Sequence, residues 1–411
     1  MKSHHERRLA RKALGLFGIV VVVLFALSHA GAFAEQPDRV LFEQRLPRVP
    51  VHLVTEVRLD GKPCLMLIDT GEEAFTLDLS KRGAKFKKFA KGEVIAFGGS
   101  KMSENVYTGP PVKAQSLSVE EPFVVFSDMR MLSKFNGWPL AGIMGIQALR
   151  AGKVFLNYDE HVLQVHSGPW KLNKPDCQEV QLIKDSNVPM ANVKVMGYPA
   201  TVTFDTGSDG CIDLEAKVFN SLVKDGVIEL AKKDQQQLSL KDVTPAGTGW
   251  FLKGKFMGKS LVGVSVSSSP GSTSSAVGLQ WLYGFNTEID SIAHKLRYQV
   301  RRDAKFPGEA QRMLGATFSY DWDGALIEGP TVGAAKDAGL NFGDLILEFG
   351  PLKAGKMNVA SIGETVADAA GKEMAIRYLR KSDGKYVDGK LKLPPAISEW
   401  DFAGRDILKP K

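Results

Sequence analysis

Two copies of the tripeptide Asp-Thr-Gly are the residues of this sequence best suited to chemistry. They lie at Asp69-Thr70-Gly71 and at Asp205-Thr206-Gly207. Two carboxyl groups held a few ångströms apart do not both ionise easily, so they share a proton and together offer a general base and a general acid. One copy alone is more often a turn, because Asp and Gly favour turns. Two copies at matched places in a repeat are much harder to attribute to chance.

The chain around the two tripeptides does repeat. Gly61 stands eight residues before Asp69, and Gly197 stands eight residues before Asp205. In both copies a proline follows two residues after the glycine, and a strand-like run then leads to the aspartate. Each copy predicts a β-hairpin with glycine in its turn, whose second strand runs into a tight Asp-Thr-Gly loop.

A second shared pattern marks the far end of each copy. Ile143-Met144-Gly145 in the first half matches Ala276-Val277-Gly278 in the second. Each is followed by a turn and a predicted short strand, Val162 to Val165 and Leu296 to Tyr298. The repeating unit is therefore a whole lobe of roughly 120 residues. Two similar lobes predict a pseudo-two-fold pair whose interface is built from equivalent loops.

This pattern resembles that of the aspartic proteases. The shared features are an apolar strand that enters Asp-Thr-Gly and, later, two apolar residues and a glycine before a short helix. The short lobes are more similar to the retropepsin-like branch, fused in tandem, than to pepsin. The resemblance covers roughly residues 45–302. It implies a mainly β, two-lobed fold, with the first lobe at 43–170 and the second at 174–302.

The same resemblance implies a role for each residue of the two loops. Asp69 and Asp205 form the catalytic dyad, which activates a water molecule and needs no cofactor or metal. Gly71 and Gly207 allow close backbone approach. Thr70 and Thr206 hydrogen-bond across to the opposite loop and hold the carboxyl groups at a fixed separation.

The residue after each loop differs between the two copies. Ser208 follows the second loop, as is common in the family, and its hydroxyl can support the catalytic carboxylate. Glu72 follows the first loop, where a small residue is usual. If Glu72 points inward, a third carboxylate raises the pKa values of the dyad. If it points outward, the first lobe lacks one support.

Segments rich in glycine between these motifs are candidate flaps that close over an extended peptide. In the first lobe the segment is Phe97 to Ser100, with Gly98 and Gly99. In the second lobe it is Ala246 to Trp250, with Gly247 and Gly249. The alternative is that each is a hairpin turn without a part in catalysis. The Ser-rich stretch Ser267 to Ser275 predicts a flexible surface loop.

In residues 306–396, the segment Ala325 to Pro330 leads into an Ala-rich helix that ends in Ala338-Gly339-Leu340, and Gly343-Asp344 opens a further strand. This order resembles a PDZ domain of the bacterial protease-associated type, which implies an α+β domain. A helix over Val359 to Ala370 and strands over Met374 to Leu379 and Tyr386 to Leu393 complete the pattern. Such domains bind an extended peptide, usually by its terminal carboxylate. The candidate carboxylate loop is Leu314-Gly315-Ala316-Thr317, and the alternative is a strand that packs the domain onto the lobes.

The first 34 residues predict an export signal. A basic stretch is followed by an apolar run, Ala13 to Leu27, and by Ala32-Phe33-Ala34. Cleavage makes the protein periplasmic or secreted; an uncleaved segment anchors it in the inner membrane. Five basic residues and one acidic residue of this segment supply four of the seven net positive charges of the chain. The small remainder argues against a nucleic-acid partner.

The remaining chemistry-bearing residues support no competing class of enzyme. Cys64, Cys177 and Cys211 have no metal-ligand spacing and can form at most one internal disulfide. No Gly-x-Ser-x-Gly, His-Glu-x-x-His or phosphate-loop motif occurs. The sequence thus predicts an exported aspartic endopeptidase acting on polypeptides, whose PDZ-like groove takes a peptide or a protein C-terminus, with residues 397–411 as a tail. The alternative is a protease-like peptide-binding protein that has lost catalysis, and the oligomeric state stays open.

Overall fold

The computed structural model describes residues 39–95, 101–230, 235–238, 243–269, 272–302, 313–329 and 331–395. The predicted export signal at 1–34 and the tail at 397–411 lie outside these residues. Strands far outweigh helices in the described part of the chain, which confirms the prediction of a mainly β protein. No helix found among the described residues is long and apolar enough to cross a membrane.

A nine-stranded sheet is formed by residues 54–127 and 140–144. Its central strand β10 is buried along its whole length, because it pairs with β3 in parallel and with β4 in antiparallel orientation. A strand enclosed in this way needs a continuous apolar run, and Leu140-Ala141-Gly142-Ile143-Met144 supplies it. In spatial order the strands are β5 (Lys87–Ile95), β6 (Lys101–Thr108), β9 (Phe123–Ser127), β4 (Phe75–Asp78), β10 (Leu140–Met144), β3 (Lys62–Ile68), β2 (Val54–Leu59), β7 (Val112–Ala114) and β8 (Leu117–Val119).

An eight-stranded sheet contains the second Asp-Thr-Gly copy. Its strand β15 buries alternate residues, including Val202 and Phe204, as expected for a strand with one face on the core. In spatial order the strands are β14 (Met190–Val195), β15 (Tyr198–Phe204), β23 (Ser275–Val277), β16 (Ile212–Asp213), β22 (Ser265–Ser268), β19 (Val243–Phe251) and β17 (Ile228–Leu230), with β18 (Gln235–Leu238) paired to β19. The short strands β20 (Lys255–Phe256) and β21 (Lys259–Ser260) pair nearby.

The prediction of a Ser-rich surface loop over Ser267 to Ser275 is wrong. Ser268, Ser269, Ser272 and Ser275 are each no more than 5% exposed. Two polar groups of the segment find partners in the second half: Ser275 Oγ accepts a hydrogen bond from Glu215 N, and the backbone carbonyl of residue 272 accepts one from Ala216 N. Small hydroxyl side chains therefore suit a buried connection here.

A six-stranded sheet joins the far ends of the two repeats. β11 of the first half pairs with β24 of the second, through Val154 with Ile289 and Leu156 with Thr287. The predicted strands at Val162 to Val165 and Leu296 to Tyr298 are confirmed as parts of this sheet. In order its strands are β1 (Val40–Arg45), β12 (Val162–His166), β11 (Lys153–Asn157), β24 (Phe285–Asp290), β25 (Lys295–Val300) and β13 (Gln178–Gln181).

A fully buried polar cluster lies at the join between these halves. The Glu288 carboxylate contacts His166 Nε2 at 2.9 Å and accepts hydrogen bonds from the backbone N–H groups of Lys171 and Leu172, at 3.1 and 2.8 Å. His166 and Glu288 are both 0% exposed. A buried carboxylate is tolerated only with several such partners. The cluster therefore ties the end of the first half to the second.

Four short α-helices lie between these strands in the residues that the structure describes. α1 (Arg130–Asn136) ends at Gly137, whose φ of 74° is left-handed, as is common just past a helix. α2 (Ile146–Leu149) and α4 (Leu279–Leu282) each begin directly after the glycine of the second repeated pattern, Gly145 and Gly278. α3 (Ala216–Lys224) buries Val218, Phe219 and Leu222 on one face, at the spacing of an amphipathic helix.

Residues 313–395 form a separate sheet with its own core. In order the strands are β26 (Phe318–Asp321), β27 (Gly324–Ile327), β28 (Leu345–Phe349), β30 (Glu373–Leu379) and β31 (Tyr386–Lys392), with β29 (Leu352–Lys353) beside β28. Two helices accompany it, α5 (Gly333–Asp337) and α6 (Val359–Asp368). The strands and helices predicted for this region are thus confirmed, and Gly339, with φ of 77°, follows α5 as expected for a helix C-terminus.

The two larger hydrophobic clusters of the described residues match this division of the chain. One runs from Phe42 to Tyr298 through both repeats, and the other from Met313 to Leu393. The three cysteines form no disulfide with one another: Cys211 is buried, while Cys64 and Cys177 are partly exposed. Hydrophobic burial and the strand ladders, not a disulfide, therefore hold these parts together.

We expect Glu288→Ala to lower the free energy of unfolding by about 3 kcal/mol, because it leaves His166 and two backbone N–H groups buried without their acceptor. Urea denaturation at neutral pH followed by tryptophan fluorescence measures this. The matched control is Glu179→Ala in the same sheet, since Glu179 pairs with Lys295 and Arg297 at a partly exposed site. The control should lose less than about 1 kcal/mol. Equal losses in both variants would contradict the role of the buried cluster.

Candidate active site

The two Asp-Thr-Gly loops are delivered by equivalent hairpins. Asp60 and Gly61 join β2 to β3 with φ of 52° and 75°, and Met196 and Gly197 join β14 to β15 with φ of 51° and 88°. Positive φ at both central residues defines the turn that matches the twist of a two-residue hairpin. The predicted hairpins with glycine in the turn are thus present, and each second strand ends at its aspartate.

The backbone of each aspartate is fixed by the second repeated pattern. Asp69 N donates to Met144 O at 3.1 Å, and Asp205 N donates to Val277 O at 3.0 Å. Beyond the loops, Ile146 N donates to Glu72 O and Leu279 N donates to Ser208 O, both at 2.8 Å. Two equivalent backbone hydrogen bonds therefore position each loop, which explains why the two patterns recur together in the sequence.

Four hydrogen bonds between buried groups join the loops to each other. Thr70 N donates to Thr206 Oγ1 at 3.0 Å, and Thr206 N donates to Thr70 Oγ1 at 3.1 Å. The hydroxyls donate onward, Thr70 Oγ1 to Phe204 O at 2.7 Å and Thr206 Oγ1 to Ile68 O at 3.1 Å. Both threonines are 0% exposed. Each hydroxyl thus bridges the backbone on both sides of the opposite aspartate.

This arrangement brings the carboxyl groups of Asp69 and Asp205 within hydrogen-bonding distance of each other. Asp69 Oδ1 also accepts hydrogen bonds from Gly71 N at 2.7 Å and Glu72 N at 3.0 Å, and Asp205 Oδ1 accepts one from Gly207 N at 2.8 Å. A Cβ atom on Gly71 would lie 2.6 Å from the Asp205 carboxyl carbon, and one on Gly207 would lie closer still to Asp69. Glycine is required at both positions for this approach.

The electrostatics of the two carboxyl groups are unequal. Burial raises the pKa of Asp69 well above its usual value, and the negative charges of Asp205 and Glu72 raise it further. Burial also raises the pKa of Asp205, but its hydrogen bond with Asp69, the N–H groups of Gly207 and Ser208 and the charge of His52 favour its ionised form. Of the neighbours outside the pair, Glu72 disfavours a negative charge on Asp69 and His52 favours one on Asp205, so these two neighbours favour the shared proton on Asp69.

Glu72 acts on the dyad as a third carboxylate. Burial raises the pKa of Glu72 to about 7, although the N–H groups of Ala74 and Glu73 favour its charged form. Of the two orientations considered from the sequence, the structure has the one in which Glu72 raises the pKa of Asp69. Ser208 supports Asp205 through its backbone N–H, while its hydroxyl accepts a hydrogen bond from Gly210 N at 3.4 Å.

His52 belongs to the site although the sequence patterns did not single it out. Its Nε2 lies 2.9 Å from Gly207 O, and its Nδ1 lies 2.7 Å from Asn136 Oδ1 at the end of α1. One signal was available: His52 stands nine residues before Gly61, where the second copy has Val188 nine residues before Gly197. The first copy therefore has a polar histidine where the second copy has an apolar valine, close to a catalytic loop.

The candidate flap glycines are placed differently in the two halves. Gly98 and Gly99 lie outside the described residues, between the paired strands β5 and β6. Gly247 and Gly249 do not lie at a turn but inside β19, opposite Ser268 and Val266 of β22. A Cβ on Gly249 would meet Glu229 O, so glycine there permits close strand packing. The connection between β18 and β19 is at 239–242, outside the described residues.

The candidate carboxylate loop lies directly before the edge strand β26. Leu314 and Ala316 are buried in the C-terminal core, and Gly315 has φ of 72°. Two carbonyl groups of this loop accept backbone hydrogen bonds: Val332 N donates to Gly315 O at 2.8 Å, and Glu328 N donates to Thr317 O at 2.9 Å. The loop is thus held rigidly at the end of an edge strand, and its role in binding stays a prediction.

Compared with models of known protein families and with curated proteins, the sequence matches none of them. The site must therefore be interpreted from its own geometry. In the part of the chain that the structure describes, no group of three or more His, Cys, Asp or Glu side chains is arranged to hold a metal ion.

We expect Thr70→Val to lower the free energy of unfolding by about 2 kcal/mol, because it leaves Thr206 N and Phe204 O buried without a partner. Urea denaturation measures the change. Thr201→Val is the matched control, since the Thr201 hydroxyl donates to Asn192 Oδ1 at the surface of β15. A Thr70→Val protein as stable as the control would show that the loops are held by other contacts.

The free energy of unfolding of the protein should also depend on pH, because burial beside the dyad raises the pKa of Glu72. The folded protein disfavours the charged form of Glu72, whose pKa rises from 4.5 to about 7. The penalty is therefore absent below pH 4.5, grows as the pH rises, and reaches about 3 kcal/mol above pH 7.

Glu72→Gln should therefore be more stable than the wild type at about pH 8 and differ little at about pH 4.5. Urea denaturation at both values checks this, with the exposed neighbour change Glu73→Gln as the control. A stability gain that is the same at both pH values would contradict an effect of the Glu72 charge.

Proposed function

We propose that this protein is an exported aspartic endopeptidase of the two-lobed, retropepsin-like kind, carrying a C-terminal PDZ-like domain. The lobes correspond to residues 43–170 and 174–302, and the PDZ-like domain to 306–396. The observation that carries the proposal is the pair of hydrogen-bonded carboxyl groups, Asp69 and Asp205, held by reciprocal threonine hydrogen bonds. Two carboxyl groups held in contact destabilise the folded protein. Two turns alone would not require them, so their presence indicates a functional site.

The repeated contacts around the two loops support a pseudo-two-fold relation between the lobes. Equivalent hairpins, equivalent backbone bonds to Met144 and Val277, and equivalent short helices after Gly145 and Gly278 surround the pair. Each half also contains a strand pair that follows its aspartate, β5 with β6 and β18 with β19, and we propose that these pairs, rather than Gly247 and Gly249 themselves, act as the flaps. A peptide lying between the lobes would contact both halves at once.

The geometry supports hydrolysis by general acid–base catalysis. The ionised member of the dyad takes a proton from a water molecule, whose oxygen attacks the carbonyl carbon of the peptide bond. The protonated member donates its proton to the carbonyl oxygen, and later proton transfer to the amide nitrogen releases the amine product. No covalent bond to the enzyme forms. The threonine hydrogen bonds matter because acid and base must stay within a fraction of an ångström of the productive position.

The PDZ-like domain is proposed to bind substrate or partner peptides by strand addition. β26 is one of the two edge strands of its sheet and follows the candidate carboxylate loop Leu314 to Thr317. An extended peptide can be added to an edge strand. Three of the four residues of β26 are buried and α1 packs against this strand, so a peptide at this edge would lie beside α1 or replace it. Export of the protein to the periplasm or the exterior, by a cleaved signal or as an anchored form, rests on residues 1–34 alone.

One observation favours a second candidate function. Glu72 places a third carboxylate where a small residue would support the dyad, and it raises the pKa of Asp69. A protein of this shape that has lost hydrolysis would bind peptides in the cleft and at the PDZ-like domain without cleaving them. Binding without any product between about pH 3 and 8 would identify this alternative.

The full chain should cleave an unfolded polypeptide such as reduced, alkylated casein, and Asp69→Asn and Asp205→Asn should each lower kcat/KM by at least about a thousandfold. Product peptides are measured by mass spectrometry across the same pH range. Asp185→Asn, which changes an exposed aspartate outside the site, is the control and should retain activity. Equal turnover by the wild type, both dyad variants and the control would exclude the proposed mechanism.

A further inference from the structure

We propose that His52 is a positioning residue that holds the second catalytic loop as a cation and makes Asp205 the general base and Asp69 the general acid. This inference rests on the proposed peptidase function, because only hydrolysis gives Asp205 the role of a base and Asp69 the role of an acid. The hydrogen bonds of His52 do not depend on that function. The inference gives the two aspartates of the dyad different roles.

Both ring nitrogens of His52 face acceptors. Gly207 O is a carbonyl, 2.9 Å from Nε2, and can only accept. The group 2.7 Å from Nδ1 is Asn136 Oδ1, and its identity follows from the other end of the amide, since Asn136 Nδ2 donates to Leu132 O at 2.8 Å. An imidazole ring that donates from both nitrogens carries two protons and a positive charge. A doubly protonated ring would satisfy both acceptors, and this is the form that the proposal assigns to His52.

Gly207 carries the effect of His52 to the dyad. Its carbonyl oxygen lies 2.9 Å from His52 Nε2, and its N–H donates to Asp205 Oδ1 at 2.8 Å. A contact that fixes the carbonyl of Gly207 also holds the N–H of the same residue in place, and the positive charge of the ring favours the ionised form of Asp205. His52 thus stabilises the carboxylate form of Asp205 without touching substrate.

The first catalytic loop has no counterpart to the contact between His52 and Gly207 O. Val188 occupies the matched position: Ile68 N donates to Leu53 O, next to His52, just as Phe204 N donates to Pro189 O, next to Val188. Glu72 in turn matches Ser208, as shown by their equivalent bonds to Ile146 N and Leu279 N. The two departures from the repeat thus place a positive ring beside Asp205 and a negative side chain beside Asp69.

Other charges around His52 do not oppose this assignment. On α1, Lys134 pairs with Glu328, and Arg130 pairs with Asp128 just before the helix. On the second loop Asp209 is exposed. The remaining titratable groups of the two catalytic loops are the dyad itself, Glu72 and the exposed Glu73. The cation and the third carboxylate therefore act in the same direction on the shared proton.

The assignment predicts a separate effect on each limb of the pH–rate profile. In His52→Gln the amide still donates to Gly207 O, but the positive charge is gone. Asp205 then ionises at higher pH, so the acid limb moves to higher pH and kcat/KM below the wild-type optimum falls by at least about threefold.

In Glu72→Gln the basic limb moves to lower pH instead, because Asp69 loses its proton more easily. His294→Asn, at a turn residue with φ of 54° that Asn adopts readily, is the control and moves neither limb.

A second measurement decides the assignment whether or not the protein cleaves peptides. In protein labelled with ¹⁵N-histidine and ¹³Cγ-aspartate, the His52 signal is identified by its loss in His52→Gln or, if that variant does not fold, in His52→Asn. Both ring nitrogens should give protonated shifts at about pH 6.5. The Asp205 carboxyl should titrate at higher pH in either variant than in the wild type. One unprotonated ring nitrogen, or an unchanged Asp205 titration, overturns the proposal; absence of cleavage in all variants overturns only the peptidase function.

Discussion

The reciprocal hydrogen bonds of Thr70 and Thr206 are the constraint on which the rest of the site depends. Two carboxyl groups repel when both are ionised, so proximity must be imposed by the backbones that carry them. Each threonine hydroxyl accepts from the opposite loop and donates to the carbonyl before the opposite aspartate. The bonds are buried, and breaking one leaves two backbone groups unsatisfied. Separating the loops would therefore leave four backbone groups without their partners, and this opposes the repulsion of the two acids.

The surrounding fold is arranged to keep that constraint rigid. The strand that enters each loop is covered by a third strand, β10 or β23, whose last residue accepts from the aspartate N–H. Far from the loops, β11 pairs with β24, and the buried Glu288 cluster closes the same join. The halves are thus tied at two separate places. Glycine is required at positions 71 and 207, because any side chain there would displace the opposing carboxyl group.

Much of this could be predicted because the chain repeats. Matched spacing from Gly61 to Asp69 and from Gly197 to Asp205 fixes two hairpins, since a two-residue turn with positive φ admits few residues. The failures have physical causes. Gly247 and Gly249 resemble a turn by composition but allow tight strand packing, and the buried serines after β22 resemble a surface loop. His52 was missed because its partners, Gly207 and Asn136, are distant in sequence and only the fold brings them together.

The position of His52 also ties the catalytic loop to the C-terminal domain. Its partner Asn136 ends α1, and α1 packs against β26 and α6. A side chain on Gly137 would overlap Asn358 and Tyr320, and Lys134 of the same helix pairs with Glu328. The helix that orients His52 is therefore held between the domain and the second loop. A continuous set of contacts therefore runs from the C-terminal sheet through α1, Asn136 and His52 to the carbonyl of Gly207.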